Sequence, residues 1–122
     1  YKGKLPELGL MIEVPAAALL ADNLAKVSDF FAIGTNDLTQ YTLAADRADD
    51  KVAALFDSRH PAVLALIERT AKAGAKAKIP VSICGEVAGD ARATATLIGL
   101  GIRELSMTPS SILTVKKAVR AV

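Results

Sequence analysis

Four short apolar runs separated by longer helical patterns constrain this chain more than anything else in it. The first run is Leu8 to Val14 (LGLMIEV), and Pro15 then opens a helical stretch through Ala25. The second is Phe30 to Ile33, with a helix expected from about Leu38 to Ala45. Residues 48–59 are polar and irregular. A longer helix begins at His60-Pro61, with Val63, Leu64, Ile67 and Ala71 on one face, and Gly74 a point of interruption. Val81 to Cys84 is the third run, after Pro80. A loop over 85–89 and a helix capped by Asp90 and running to Leu100 follow. Leu105 to Met107 is the fourth run, and Pro109 opens the last helix.

The order βαβαβαβα implies a parallel sheet with right-handed helical crossovers. Half of a (β/α)8 barrel, a small doubly wound sheet and a complete small domain all fit that order. A half barrel would leave two strand edges and an apolar face open. Aromatic residues are only 4% of the chain, so the core must be Ala, Val, Ile and Leu.

Composition narrows the function classes. A net charge of +2 over 122 residues gives no electrostatic footprint for nucleic acid or a membrane surface. No apolar run approaches the roughly 18 residues of a membrane span. The lone Cys84 excludes an intrachain disulfide and fits a reducing, cytoplasmic setting. The chain starts without Met and stops on an uncapped helical pattern, which points to a piece of a longer protein.

Parallel α/β folds gather their active groups at the carboxyl ends of strands. Here those ends carry Glu13, Asn36 with Asp37, Cys84 with Glu86, and Thr108 with Ser110. Glu13 and Asp37 form a carboxylate pair suited to Mg²⁺, which takes one or two protein carboxylates and fills its shell with water and phosphate oxygens. Equally, Glu13 could pair with a basic side chain and Asp37 could cap the following helix. Arg47 could grip a phosphate bidentately or lie solvated at a helix end. Asn36 could donate to an anion or hold the turn. Cys84, protonated at neutral pH, could act as an acid, or it could be a small buried hydrophobe. Glu86 could bind substrate, orient a neighbour or sit on the surface. His60, the only histidine, lies in a polar loop away from the strand ends and is not read as catalytic.

The stretch GTNDLTQYTLAADR, with MIEVPAA before it and ICGEVAGD after it, resembles the phosphoenolpyruvate-utilising enzymes. Within them it is most similar to the Enzyme I family of the bacterial sugar phosphotransferase system. The motifs come in the family order and cover essentially the whole chain. Ala32 departs from the usual serine, inside a strand, where it bears on packing more than chemistry.

The resemblance implies that residues 1–122 are roughly the last four βα units of a (β/α)8 TIM barrel that binds phosphoenolpyruvate and Mg²⁺. Glu13 and Asp37 would be the metal ligands, and Asn36, Asp37 and Arg47 the substrate contacts. Cys84 would protonate enolpyruvate to pyruvate. The family's acceptor histidine lies in a separate N-terminal domain that meets the phosphocarrier protein HPr, and the intact protein is a homodimer. On that basis the isolated chain is expected to be inactive. A pyruvate phosphate dikinase or phosphoenolpyruvate synthase barrel would share these motifs, and a non-catalytic dimerisation module is the reading from another class.

Overall fold

The computed structural model describes residues 3–122. Its sheet has four strands, β1 (Gly9–Ile12), β2 (Phe30–Gly34), β3 (Val81–Cys84) and β4 (Glu104–Leu105), in the order β1-β2-β3-β4. Every pairing is parallel. Each strand therefore lies beside its predecessor in sequence, and the order nowhere reverses. The helices are α1 (Pro15–Leu19), α2 (Ala21–Leu24), α3 (Thr35–Leu43), α4 (Pro61–Ala77), α5 (Thr94–Gly99) and α6 (Pro109–Val119).

The register divides the sheet into two unlike faces. Ile12, Ile33, Ile83 and Leu105 are aligned across all four strands, with Leu10, Phe31 and Val81 one layer away on the same face. Ile12, Phe31, Ile33 and Ile83 are 0% exposed and join Val63 and Ile67 of α4 in one continuous core. The opposite face carries Met11, Ala32, Ser82 and Glu104 in register. There Met11 is 48% exposed.

Proline at the first turn starts α1, α4 and α6, as the pattern predicts, because its missing N–H costs nothing there. β3 has the limits read from sequence. Other boundaries moved for local reasons. The helix expected over 16–25 breaks at Leu20 into α1 and α2, and Arg69 Nε of α4 donates to the Leu19 carbonyl at the break (3.1 Å). α4 runs through the expected interruption at Gly74, which is buried, and ends at Lys78 in the left-handed conformation (φ 59°). α5 starts at Thr94, not at Asp90. The Asp90 carboxylate is engaged by the Arg92 amide (2.9 Å) and holds a turn instead of a helix. β4 lies earlier than expected, and Ser106 N–H extends its ladder by donating to the Ile83 carbonyl (2.8 Å). Among the described residues no helix is long and apolar enough to cross a membrane.

Candidate functional site

β2 passes into α3 without a loop. Gly34 is the residue before the helix, and Thr35, Asn36 and Asp37 form its first turn. The sequence pattern placed Asn36 and Asp37 in a turn ahead of the helix, so the structure fixes them more firmly than expected. Thr35 is buried and its hydroxyl donates to the Cys84 carbonyl across to β3 (2.8 Å). Thr39, one helical turn on, donates to the Thr35 carbonyl (2.7 Å). These bonds peg the start of α3 to the end of β3.

Three adjacent strand ends then meet in one row. Gly34 pairs with Cys84 in the ladder. On the other side, a Cβ built on Gly34 would lie 2.9 Å from both Cβ and Oε2 of Glu13, and 3.2 Å from Met11 Sδ. The carboxylate of Glu13 therefore occupies the space that any larger residue at 34 would fill. Met11 lies beneath, its Sδ 4.0 Å from Cys84 Sγ. The half-buried Cys84 thiol donates toward the Ile33 carbonyl (3.5 Å). A carboxylate and a thiol thus flank a glycine, over a thioether floor, on the open face of the sheet.

The side chains of Glu13 and Asp37 carry no hydrogen bond or ion pair among the described residues. Neither alternative reading of them holds there, since Glu13 has no basic partner and α3 has no side-chain cap. A carboxylate just past β1 and another in the helical turn after β2 suit a hard cation that keeps water and substrate oxygens in its shell. No group of three or more His, Cys, Asp or Glu side chains gathers among the described residues, so a closed protein cage for a metal is absent there. The donor set fits Mg²⁺ in its usual, partly hydrated form.

Beyond α3 the chain turns through Ala44 (φ 51°), and buried Ala45 anchors the exit. Arg47 follows and reaches Glu86, two residues past the end of β3. Its Nη1 lies 2.6 Å from Glu86 Oε1, with the two side chains 47% and 73% exposed. The Glu86 amide donates to Asn36 Oδ1 (3.1 Å). Gly85, between Cys84 and Glu86, has φ 105° and ψ 177°. A Cβ there would collide with the Thr35 hydroxyl. Only glycine tolerates both the dihedrals and the crowding.

Beside this row lies an open cleft of about 810 Å³, lined by Asn36, Cys84 and Glu86 together with Arg59, Arg92 and Thr108. Glu13, Asp37 and Arg47 stand outside its lining. The strand-end rule found Asn36, Cys84, Glu86 and Thr108, but Arg59 and Arg92 carry no sequence signal that sets them apart from solvated arginines. Arg92 chelates Asp90 at the cleft wall, with Nη2 2.9 Å from Oδ2, and this hydrogen bond holds the Asp90 carboxyl below its ordinary range. His60 serves as the cap of α4, its Nδ1 accepting from the Ala62 amide (3.2 Å).

Comparison with known proteins adds a family. The model of the PEP-utilising enzyme, PEP-binding domain, matches residues 1–122. The phosphoenolpyruvate-protein phosphotransferase of Cupriavidus necator is 53% identical over 113 residues, covering 93% of this chain and 19% of that protein. That of Borreliella burgdorferi is 52% identical over 110 residues, covering 90% of this chain and 19% of the relative. The multiphosphoryl transfer protein of Xanthomonas campestris is 55% identical over 117 residues, covering 94% and 14%. The chain thus spans about a fifth or less of the length of these relatives.

Proposed function

Because the chain belongs to the PEP-utilising enzymes through their PEP-binding domain, we propose that it forms part of the phosphoenolpyruvate site of a phosphoenolpyruvate-protein phosphotransferase. The observation that carries this reading is the row of Glu13, Gly34 and Cys84 across three adjacent strand ends. The four strands, ordered without reversal and with one face open, are read as the last βα units of a (β/α)8 barrel. Further strands of a longer protein would close that face and bring the remaining phosphate-binding groups.

In this proposal Glu13 and Asp37 hold Mg²⁺, which when bound would neutralise charge on the transferring phosphoryl group. Asn36 and Arg47 bind phosphoenolpyruvate. The planar fork of Arg47 suits phosphate oxygens, and its charge is permanent. Loss of the phosphoryl group breaks the bond between phosphorus and the enol oxygen and leaves the enolate of pyruvate. Cys84 then gives its proton to the terminal carbon, the keto form of pyruvate results, and the thiolate regains a proton from water in the adjoining cleft. Removing the enolate in this way makes transfer downhill. The phosphoryl group passes to a histidine of another domain and then to HPr, in the cytoplasm, and a homodimer belongs to the same proposal.

The test is Cys84→Ala in the full-length protein. Pyruvate formation should fall by about 10²- to 10⁴-fold, the range of a lost general acid, while phosphoenolpyruvate affinity stays as in the parent. Turnover at the parental rate would refute the assignment.

A further inference from the structure

The ion pair between Arg47 and Glu86 has no evident part in holding the fold together. Both side chains are largely exposed, and pairs of that kind add little to stability. Its position is more informative. Arg47 leaves an irregular segment after α3 on a long side chain, and Glu86 is its only ion-pair partner among the described residues. Glu86 in turn stands on the turn after β3 that is fixed twice to the start of α3. Thr35 Oγ1 donates to the Cys84 carbonyl (2.8 Å), and the Glu86 amide donates to Asn36 Oδ1 (3.1 Å). The positive φ of Gly85 lets the chain turn closely enough for both bonds.

Glu86 therefore touches, through different atoms, two residues assigned above to substrate binding. Its amide engages Asn36 and its carboxylate engages Arg47. The carboxylate contact uses Nη1 of Arg47. A guanidinium has five N–H donors, so the remaining ones stay available for an anion.

We propose that Glu86 is a positioning residue for phosphoenolpyruvate, holding the Arg47 guanidinium at the turn after β3 before substrate arrives. This inference rests on the reading of Arg47 as a phosphate contact. A free arginine loses rotamer freedom when it is fixed on a ligand. Glu86 supplies part of that order in advance, as much as an exposed ion pair can, so substrate binding need supply less.

The experiment compares Glu86→Ala and Glu86→Gln with the parent in the full-length protein. The readouts are KM and kcat for phosphoenolpyruvate, and calorimetric binding of phosphoenolpyruvate with each change placed in a Cys84→Ala background. Glu86→Ala should raise KM and weaken calorimetric binding by about twofold to fivefold, the scale of an exposed ion pair, with kcat nearly unchanged. Glu86→Gln keeps an acceptor oxygen but loses the charge and should fall between the two. Because the Glu86 side chain is 73% exposed and its amide bond to Asn36 is main-chain, both variants should melt with the parent. An unchanged KM would overturn the proposal, as would a lowered one, which would mean that the carboxylate competes with substrate for the guanidinium. An equal loss in kcat would overturn it too. If the parent itself neither binds nor turns over phosphoenolpyruvate, the functional reading fails first, and that outcome is visible without any variant.

Discussion

The two faces of the sheet are built from alternate residues of the same strands, yet they behave as different materials. On one, Ile12, Phe31, Ile33 and Ile83 are sealed beneath helices. On the other, Met11, Gly34 and Cys84 lie in or near the open, beside a carboxylate with no partner among the described residues. The first face buys stability through apolar burial. The second leaves small and polar groups accessible at the strand ends, where a ligand can reach them. One pleat, by pointing successive side chains in opposite directions, thus divides folding from chemistry.

The largest expected contrast is between core and open-face truncations. Ile33→Ala should cost about 2–5 kcal/mol, as core deletions of this size do, while Met11→Ala in this chain should cost under about 1 kcal/mol. Urea denaturation of the two variants measures both. The same Met11→Ala change in the full-length protein sharpens the barrel reading. If further strands close the open face, its cost should rise toward the core value, and an equal small cost in both contexts would argue against closure.

Next in size is Gly85→Ala. It combines a conformation reserved for glycine with a collision at the Thr35 hydroxyl, so stability should fall by about 1–3 kcal/mol. Denaturant midpoints report it, and a parental midpoint would show that the turn relaxes freely.

Gly34→Ala should divide the two properties. Its Cβ meets the backbone-fixed Cβ of Glu13 as well as Oε2, so the strand end must shift and the stability loss should be about 1–3 kcal/mol. Magnesium affinity should fall far more steeply. A Mg²⁺ titration of the full-length protein that matches the parent would count against Glu13 as a ligand.

The smallest effect concerns pH. The Asp90 carboxyl is held below its ordinary range, first by the side-chain hydrogen bond from Arg92. A group with a lowered folded-state pKa contributes above its unfolded value and loses that contribution as pH falls through the folded one. Asp90→Asn should therefore flatten only the acid limb of the stability curve, below about pH 4, where an unperturbed Asp titrates. Stability profiles of parent and variant that coincide down to pH 2 would remove the effect.

Much of this was legible in the chain itself. Short apolar runs ended near Pro or Gly, close to where strands end, and β3 was read to the residue. The rule that parallel strands carry chemistry at their carboxyl ends brought Glu13, Asn36, Asp37 and Cys84 into view before any coordinates. What escaped depended on which partner each group finds in the folded chain. Leu20 breaks its helix where Arg69, 49 residues later in sequence, supplies a donor to the neighbouring Leu19 carbonyl. Asp90 resembles a helix cap, but Arg92 claims its oxygens first. Glu86 stayed open between substrate, a neighbour and the surface, because only the folded chain brings Arg47 to it.

The unbroken parallel register has a consequence for how such a chain can change length over time. The row of Glu13, Gly34 and Cys84 is indexed by hydrogen bonds between strands, not by distance along the sequence. Residues inserted in the irregular segment 48–59 would leave that index untouched. One residue lost from β2 would invert its pleat, turning Phe31 and Ile33 outward and carrying the start of α3 away from Cys84. Length is free to drift in the loops, while each strand must keep its parity.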